Sequence, residues 1–329
     1  MSPSTFFDLI NALSSLNVDK FQPFELIETQ YKNFGQGNGA VSTDVLIPKA
    51  LLEKDEVTQC PIMVRIHGGF LVTGSSRYAP WFSNWILNYS LRSQAIIVSP
   101  NYRLLPEANG EEILKDMEDF WDWLHAGGLV QSMEKVGLSR LIPDLERILM
   151  LGESAGGYLA VQLALSHPME IQGVIAAYPM LDLKAPFYTE SYAKPIVGVS
   201  NLPNTEDPPA RLELAFSIVQ NARFLEFFGS ENPDLFPMER VEQLSVSSNL
   251  QLPPFFIFHG EQDSAVPADG SRKFVSLLRQ KFPTVDVRLY IQDGDHGFDA
   301  DATLEAPWLR DGLKMASSAW AKPTSSRSH

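Results

Sequence analysis

The sequence predicts an α/β fold in which helices cover both faces of a largely parallel β-sheet. Short apolar runs of strand length alternate with segments whose apolar residues recur at helical spacing, which is typical of parallel strands joined by crossover helices. Apolar residues form 44% of the 329-residue chain and supply a large core. The pentapeptide Gly152–Gly156 lies between an apolar run and a helical segment, and it fits the same alternation.

The predicted strands begin at residue 41. They are short, apolar and followed by turn residues, and they span Val41–Pro48, Pro61–Ile66, Ala95–Ser99, Arg147–Leu151, Ile171–Ala177, Pro254–Phe258 and Val285–Ile291. Apolar spacing predicts helices near Ile113–Leu124, after Gly156, near Ser271–Phe282 and toward Trp320. Each of these helices would pack on one face of the sheet.

The alternation of strands and helices stops between roughly residues 181 and 251. Proline, asparagine and acidic residues here surround one or two aromatic-rich helices, such as Ala210–Phe228. We predict a helical cap insertion at residues 181–251, with an N-terminal helical part of the cap at residues 1–40. The core would then consist of residues 41–180 and 252–329. A long connection packed on the side of the sheet is the alternative.

Charge and composition argue against several kinds of partner. The formal net charge is −14 with no basic block to offset it, which argues against nucleic acid and anionic membranes. No apolar run reaches membrane-spanning length, and we expect the helical stripe Phe6–Leu16 to pack on the protein. Cys60 is the only cysteine, so no intrachain disulfide can form. This fits a reducing compartment, and we expect a cytoplasmic protein.

The pentapeptide Gly152–Gly156 contains a candidate catalytic residue. A G-x-S-x-G between a strand and a helix is a nucleophile elbow, a tight turn that lifts a serine hydroxyl clear of its neighbours. The flanking glycines allow the strand and the helix to cross closely, because a side chain there would clash. Ser154 is therefore the predicted nucleophile, and the sequence predicts a serine hydrolase.

A serine hydroxyl is a weak nucleophile unless a base, an orienting acid and an oxyanion hole assist it. In hydrolases built on this elbow, the order along the chain is serine, acid and histidine. Asp263 follows the predicted strand Pro254–Phe258, and His296 follows the predicted strand Val285–Ile291. Both residues therefore lie at carboxyl ends of strands, the edge toward which the elbow points. We predict that Ser154, Asp263 and His296 are catalytic.

Other residues compete for the acid and base roles. The rival acids are Glu261, Asp293 and Asp295, and the rival histidines are His67, His125, His167 and His259. Asp295 adjoins His296 in sequence, so its side chain would point away from the ring. None of the rival histidines follows a candidate acid at the end of the next strand. We therefore favour Asp263 and His296, and we expect His259 to form structural hydrogen bonds.

Five ordered motifs resemble those of a known family. They are HGGF from His67, NYRLLPE from Asn101, GESAGG from Gly152, HGEQD ending at Asp263 and DHGF containing His296. In this order they resemble the hormone-sensitive-lipase-like family of α/β-hydrolases, over roughly residues 40–320. The resemblance implies the α/β-hydrolase fold, with a mostly parallel eight-stranded sheet and a helical cap. It also implies carboxylester hydrolysis with no cofactor, and we expect no metal.

The resemblance further implies an oxyanion hole at Gly68, Gly69, Phe70 and Ala155, in which the backbone N–H groups of Gly69, Phe70 and Ala155 bind the oxyanion. The chain departs from the family pattern at Phe70, which replaces a glycine, and at Asn101 and Glu153, which each replace an aspartate. Phe70 keeps its N–H group, and its ring is expected either to narrow the site or to pack under the cap. We expect Glu153 and Arg103 to support the loops.

The sequence thus predicts a carboxylesterase that acts on small or medium acyl esters through an acyl-enzyme. The same intermediate could pass its acyl group to another acceptor, as in a biosynthetic acyltransferase or a product-releasing thioesterase, because the pocket selects the acceptor. A non-catalytic small-molecule receptor is the remote alternative, since plant gibberellin receptors resemble this family but lack the histidine that His296 supplies here. A homodimer is compatible with the sequence, which does not determine the oligomeric state.

Overall fold

The computed structural model describes residues 19–35, 39–194, 208–245 and 250–321, and it contains one eight-stranded sheet. Its strands are Phe24–Asn33 (β1), Ala40–Pro48 (β2), Thr58–Ile66 (β3), Ile96–Pro100 (β4), Leu141–Glu153 (β5), Ile171–Ala177 (β6), Phe255–Gly260 (β7) and Val287–Gln292 (β8). Their spatial order is β1-β2-β4-β3-β5-β6-β7-β8. β2 runs antiparallel to β1 and β4, whereas the neighbours from β4 to β8 are parallel. The carboxyl ends of β3 and β5 to β8 therefore meet at one edge.

Helices connect the strands across both faces of the sheet. Those in the described residues are Lys49–Leu52 (α1), Asn84–Ser93 (α2), Gly110–His125 (α3), Gly128–Lys135 (α4), Ala155–Ser166 (α5), Pro186–Thr189 (α6), Pro208–Gln220 (α7), Phe224–Phe228 (α8), Pro237–Gln243 (α9), Asp269–Lys281 (α10) and Pro307–Trp320 (α11). α3 begins with a capping box, in which Asn109 and Glu112 each accept the other's backbone N–H. No helix in the described ranges is long and apolar enough to cross a membrane.

The sheet separates two apolar clusters, and alternate side chains of each strand contribute to each cluster. In β3, Ile62 and Val64 belong to the cluster that α3, α5 and α10 cover. Met63, between them, belongs to the cluster that α2 and α11 cover. In β5, Ile148 belongs to the first of these clusters and its neighbour Leu149 to the second. This arrangement confirms the predicted α/β fold with helices on both faces.

The predicted N-terminal part of the cap, residues 1–40, needs a correction. Phe24–Asn33 is the edge strand β1, paired antiparallel with β2, and it is not helical. Its buried apolar residues lie three and four positions apart, a spacing that also fits a helix; they are Phe24, Ile27 and Tyr31. A register shift after Gln30 inserts a bulge, which changes the face that later side chains meet. The stripe Phe6–Leu16 lies outside the described residues.

Between β6 and β7, the described residues contain α6 to α9 and no strand. Arg211 of α7 pairs with Glu107 at 2.6 Å and donates to the carbonyl of Leu105 at 3.1 Å. These contacts join the segment to the loop that precedes α3. The boundaries of a cap at residues 181–251 stay a prediction.

Candidate active site

Ser154 lies on a strained turn between β5 and α5. Its backbone has φ 57° and ψ −118°, a conformation that residues with a side chain rarely adopt. A Cβ at Gly152 would overlap the carbonyl oxygen of Gly156, and a Cβ at Gly156 would overlap the carbonyl oxygen of Ile66 in β3. The two glycines therefore allow the strand and the helix to cross this closely, as the elbow pattern predicted.

Backbone hydrogen bonds hold this turn against its neighbours. The Ser154 N–H donates to the carbonyl of Ala177, the last residue of β6, at 2.9 Å. The Ser154 carbonyl accepts the N–H of Met180 at 3.2 Å and that of Gly157 in α5 at 3.0 Å. These bonds compensate for the strain at Ser154, so its backbone is held against the sheet.

Asp263 and His296 form a hydrogen-bonded pair on the loops after β7 and β8. The distance from His296 Nδ1 to Asp263 Oδ2 is 2.8 Å. The other carboxylate oxygen accepts the backbone N–H groups of Ala265 at 2.9 Å and Val266 at 2.7 Å. The Asp263 side chain is buried, whereas 26% of the His296 side chain is exposed. A proton on Nδ1 leaves Nε2 available to accept a proton, which a general base must do.

His259, near the end of β7, contacts the same carboxylate. Its Nε2 lies 2.8 Å from the carbonyl oxygen of Val266 and 3.2 Å from Asp263 Oδ2. Because both atoms are acceptors, Nε2 is assigned the proton, and Nδ1 accepts the hydroxyl of Ser271 at 2.8 Å. His259 therefore forms the structural hydrogen bonds expected from the sequence, and one of its neighbours is the predicted acid.

Neighbouring charges and hydrogen bonds affect the pKa values of Asp263 and His296 more strongly than burial does. Burial disfavours the Asp263 carboxylate, but the charge of His296 and the hydrogen bonds from His259 and His296 hold the pKa of Asp263 below its usual range. Burial also disfavours the His296 imidazolium, but the Asp263 carboxylate raises the pKa of His296 above its ordinary value of 6.5. Asp263 is therefore ionised at neutral pH, and His296 becomes a free base only above its raised pKa.

The rival acids have other contacts. Asp295 Oδ1 accepts the backbone N–H and the hydroxyl of Ser264, each at 2.8 Å, and the backbone N–H of His296 at 2.7 Å. Asp295 thus joins the two loops. Glu261 pairs with an arginine of α10, and Asp293 is exposed. Within the described structure, none of these three carboxylates is hydrogen-bonded to the His296 ring, so the geometry favours Asp263.

The remaining rival histidines have structural contacts. His67 is buried and stacks on the Tyr102 ring at 4.4 Å, and burial lowers its pKa to about 3. His125, the last residue of α3, lies 3.5 Å from Glu170, and His167, which follows α5, lies 3.3 Å from the same carboxylate. His67 is therefore neutral, and the other two belong to a separate group of helix-end side chains.

The loop after β3 lies directly against Ser154. A Cβ at Gly68 would come within 3.0 Å of the Ser154 Cβ. Gly69 has φ 111° and Phe70 has φ 57°, so the backbone turns through left-handed conformations. In the described ranges no protein acceptor takes the N–H of Gly69 or Phe70. Ala155 begins α5, where the first N–H groups lack intrahelical partners. These N–H groups can therefore donate to a bound oxyanion.

Phe70 keeps the backbone conformation that a glycine would adopt without strain. The residue is only 3% exposed, and its ring meets the ring of Phe216 in α7 edge-on at 6.1 Å. The side chain therefore packs against the helical segment between β6 and β7, which is one of the two arrangements expected from the sequence.

A buried ion pair connects the elbow to β3. Arg65 Nε and Nη2 donate to the two carboxylate oxygens of Glu153, each at 2.9 Å, and both side chains are buried. Arg65 also donates to the carbonyl groups of Ser76 at 3.0 Å and Trp81 at 3.2 Å. Glu153 adjoins Ser154, so this bidentate pair ties the nucleophile to the strand that leads into the glycine loop. The expected supporting role of Glu153 agrees with these contacts.

Sequence reasoning missed two residues of the site. Arg65 belongs to none of the five motifs, although a charged residue within the apolar run Pro61–Ile66 is a signal of a buried partner. Tyr178 follows β6 with φ 38°, donates its N–H to the carbonyl of Phe258 at 2.7 Å and packs its ring 4.5 Å from that of His296. No local pattern in the sequence indicates this ring contact.

The fold and this site geometry agree with comparisons to known proteins. A family model described as alpha/beta hydrolase fold matches residues 63–300. The chain belongs to this family. The match confirms the resemblance drawn from the five motifs and the α/β-hydrolase fold expected from it.

Individual relatives of this α/β-hydrolase cover much of the chain. Probable carboxylesterase M8 of Phoma sp. is 34% identical over 298 residues, which cover 84% of this chain and 91% of that protein. Probable carboxylesterase clz11 of Cochliobolus lunatus is 32% identical over 208 residues, which cover 56% of this chain and 92% of that protein. A solved esterase of Pyrobaculum calidifontis, 21% identical, aligns with a TM-score of 0.61 over 98% of this chain and 94% of its own. This last likeness shows the fold alone.

The α/β-hydrolase fold brings the predicted site residues to one edge of its sheet. Ser154 follows β5, the loop with Gly69 follows β3, and Asp263 and His296 follow β7 and β8. Only the Asp263–His296 pair is joined by a side-chain hydrogen bond. The arrangement places a carboxylate–imidazole pair, and N–H groups without an acceptor in the described ranges, at the sheet edge that also carries the strained Ser154.

Proposed function

We propose that the protein is a serine carboxylesterase that hydrolyses esters of small or medium acyl groups. The observation that carries this proposal is the 2.8 Å hydrogen bond between His296 Nδ1 and Asp263 Oδ2, at the sheet edge where the strained Ser154 also lies. The two relatives named as carboxylesterases support the same reaction class. The substrate is a small-molecule ester, and the reaction needs no cofactor.

In the first step, the Ser154 hydroxyl oxygen attacks the ester carbonyl carbon while His296 Nε2 takes the hydroxyl proton. Asp263 keeps the imidazole in the tautomer with Nδ1 protonated and stabilises the imidazolium that forms. The carbonyl oxygen becomes negatively charged in the tetrahedral intermediate. The backbone N–H groups of Gly69, Phe70 and Ala155 then donate hydrogen bonds to it.

Gly68 contributes to this oxyanion hole chiefly through its size. Its missing side chain allows the loop to approach Ser154, because a Cβ would stand 2.9 Å from the carbonyl oxygen of Glu153. The donors of the loop can therefore come within hydrogen-bond range of the reacting carbonyl group.

The remaining steps release the two products. The carbon–oxygen bond of the ester breaks as His296 gives its proton to the leaving alcohol, and Ser154 is left acylated. A water molecule then attacks the acyl group while His296 takes a proton from it. The second tetrahedral intermediate collapses, His296 returns the proton to Ser154, and the carboxylic acid leaves. One ester and one water molecule thus give one acid and one alcohol.

Removal of the nucleophile tests this proposal. Ser154→Ala should lower kcat on p-nitrophenyl esters by about 10⁶-fold, because the three catalytic residues act as a unit. Ser318→Ala is a matched control, since Ser318 lies on the exposed side of α11. A panel of graded acyl chain length gives the preferred acyl size. Residual activity of Ser154→Ala within tenfold of the unsubstituted protein would contradict the assigned nucleophile.

Two finer expectations belong to this proposal. The single cysteine Cys60 is buried and free, which supports a cytoplasmic location, and cell fractionation tests it. A homodimer is compatible with the sequence, and light scattering during size-exclusion chromatography measures the mass directly. A monomer mass would exclude the homodimer and leave the chemistry of the site unchanged.

A further inference from the structure

A second buried carboxylate, that of Asp299, lies three residues after His296. Asp299 is 0% exposed, and its Oδ2 atom accepts the indole N–H of Trp85 at 2.7 Å and the hydroxyl of Ser83 at 3.0 Å. Within the ranges that the structure describes, Oδ1 has no hydrogen-bond partner, and no cationic side chain pairs with this carboxylate. A buried carboxylate without a cationic partner destabilises the folded protein, so its presence requires a reason.

The two donors to Asp299 come from the beginning of α2. Ser83 is the residue that caps this helix, yet its side chain makes no hydrogen bond to the first turn. A serine at this position usually accepts a backbone N–H of its own helix. Here its hydroxyl donates to Asp299 instead, as does the indole of Trp85. The two bonds therefore join the loop after β8 to the helix that follows the glycine loop.

The surroundings of the Asp299 carboxyl group fit its ionised form. Burial raises the pKa of Asp299 above its ordinary value, whereas the hydrogen bonds from Trp85 and Ser83 act in the opposite direction. A protonated carboxyl group would need an acceptor for its proton, and the described residues place none within hydrogen-bond distance of Oδ1. An indole N–H can only donate, and a carboxylate can only accept. Asp299 therefore contributes a negative charge.

Tyr178 relates Asp299 to His296 in space. Its ring centroid lies 4.5 Å from that of the His296 imidazole, and the residue is buried with the strained backbone angle φ 38°. Burial and the charge of Asp299 raise the pKa of Tyr178 well above its ordinary value. One buried side chain thus contacts the imidazole and responds to the charge of Asp299, so the two groups belong to one electrostatic neighbourhood.

Several other titratable groups share this neighbourhood. Burial lowers the pKa of His296, and the charges of Asp263, Asp295 and Asp299 raise it. Asp263 is hydrogen-bonded to the ring and Asp295 to the backbone N–H of His296, whereas no hydrogen bond joins Asp299 to His296 in the described structure. Asp299 can therefore act on His296 only through its charge. The groups that face the two residues are Asp263, Asp295, Tyr178, His259, Glu153 and its partner Arg65.

We propose that Asp299 is a positioning residue of the active site, whose buried charge stabilises the imidazolium form of His296 during ester hydrolysis. The proposal rests on the carboxylesterase function above. Ser83 and Trp85 orient the carboxylate without neutralising it, because neither of them is charged. The charge is in place before the reaction begins, so the protein need not reorganise when His296 takes the serine proton. Asp263 selects the tautomer of the ring, and Asp299 adds a second favourable charge.

Asp299→Asn tests this role because it removes the charge and keeps an oxygen atom that can accept both hydrogen bonds. The midpoint of the pH profile of kcat/KM should move to lower pH by about 0.5–1 unit, since the imidazolium loses one favourable charge. At pH values well above the midpoint, kcat should fall by about threefold to tenfold with KM unchanged, because the transition state contains the same imidazolium. The loss in kcat/KM should therefore shrink as the pH falls.

Asp301→Asn is the matched control for this substitution. It makes the same change two residues further along the chain, at an exposed position where water screens the charge. Neither the midpoint nor kcat should change in this variant. A loss of activity in Asp299→Asn that is equal at every pH, with an unmoved midpoint, would show a structural role alone and overturn the proposal. An unchanged pH profile with unchanged kcat would overturn it as well.

Titration of the imidazole itself distinguishes failure of this proposal from failure of the proposed function. Nuclear magnetic resonance of ¹⁵N-histidine-labelled protein, with the His296 signal assigned by its loss in His296→Gln, gives the pKa without any substrate. This pKa should be lower in Asp299→Asn than in the unsubstituted protein. If esters are hydrolysed and the two pKa values are equal, the role of Asp299 is overturned and the esterase stands. If no ester is hydrolysed and the pKa falls, the esterase is overturned and the coupling of Asp299 to His296 stands.

A measurement on the unsubstituted protein keeps the proposal testable if Asp299→Asn does not fold. Carboxyl ¹³C resonances of aspartate-labelled protein report directly whether Asp299 carries a proton. The Asp299 signal should be that of an ionised group at the pH where His296 is half-protonated. A protonated Asp299 at this pH would overturn the proposal, because a neutral carboxyl group has no charge to contribute.

Discussion

The two halves of the candidate site are held by different kinds of interaction. Close backbone packing and a buried ion pair fix the nucleophile half, where Gly68 and Gly156 leave no room for a side chain and the Arg65–Glu153 pair joins the elbow to β3. Side-chain hydrogen bonds between loops fix the acid–base half, where Asp263 contacts His296. The structure of the first half depends on close packing and on a buried charge pair, whereas the activity of the second depends on the protonation of its side chains. Substitutions in the first half should therefore change stability, and substitutions in the second should change kcat and its pH dependence.

Among the residues that support Ser154 and His296, the largest effect is expected at Asp263, in the acid–base half. Asp263→Asn should lower kcat by about 10⁴-fold and leave the protein folded, because the imidazole loses the carboxylate that selects its tautomer. Asp295→Asn is the matched control, since Asp295 contacts the backbone N–H of His296 and not its ring. Steady-state kinetics and circular dichroism of both variants measure the effect. A greater loss of kcat in Asp295→Asn would show that the acid is assigned wrongly.

In the nucleophile half, the next effect is expected on stability. Glu153→Gln should lower the free energy of unfolding by about 3–5 kcal/mol, because it leaves the buried Arg65 charge without its carboxylate. Glu226→Gln makes the same change in an exposed ion pair with Arg223 and should leave the unfolding midpoint unchanged. Urea denaturation compares the two variants. Equal midpoints would mean that the buried pair does not hold the elbow.

The pH dependence of activity should show a smaller effect, again in the acid–base half. A protonated His296 cannot accept the serine proton, so kcat/KM should fall about tenfold per pH unit below the pKa of His296. That pKa is raised above 6.5, so the midpoint should lie above this pH. Asp263→Asn removes the charge that raises it, and the midpoint should move to lower pH. A midpoint that stays in place or rises in Asp263→Asn would contradict the assigned source of the shift.

Local sequence patterns predicted the parts of the molecule that local chemistry determines. The predicted strand Ile171–Ala177 agrees with β6 at both ends. A strand of a parallel sheet is buried on both faces, so its apolar run and the turn residues that flank it mark its bounds in the sequence. The Asp263–His296 pair could also be anticipated, since both residues follow strands that end at the same edge of the sheet.

The remaining features depend on contacts between distant parts of the chain. β1 was missed because the spacing of its buried residues fits a helix as well as a bulged strand, and only pairing with β2 decides between them. The Arg65–Glu153 pair joins residues 88 positions apart, and no periodic pattern encodes such a partner. The contact between the Tyr178 and His296 rings depends likewise on how two loops come together.

Covalent labelling tests the central claim that the fold turns Ser154 into a nucleophile served by His296. The protein would be treated with a fluorophosphonate, digested and analysed by mass spectrometry. We expect a single adduct on Ser154, no adduct in Ser154→Ala, and much slower labelling in His296→Ala because the hydroxyl then lacks its base. An adduct on another serine, or equal labelling rates in His296→Ala and the unsubstituted protein, would contradict this account.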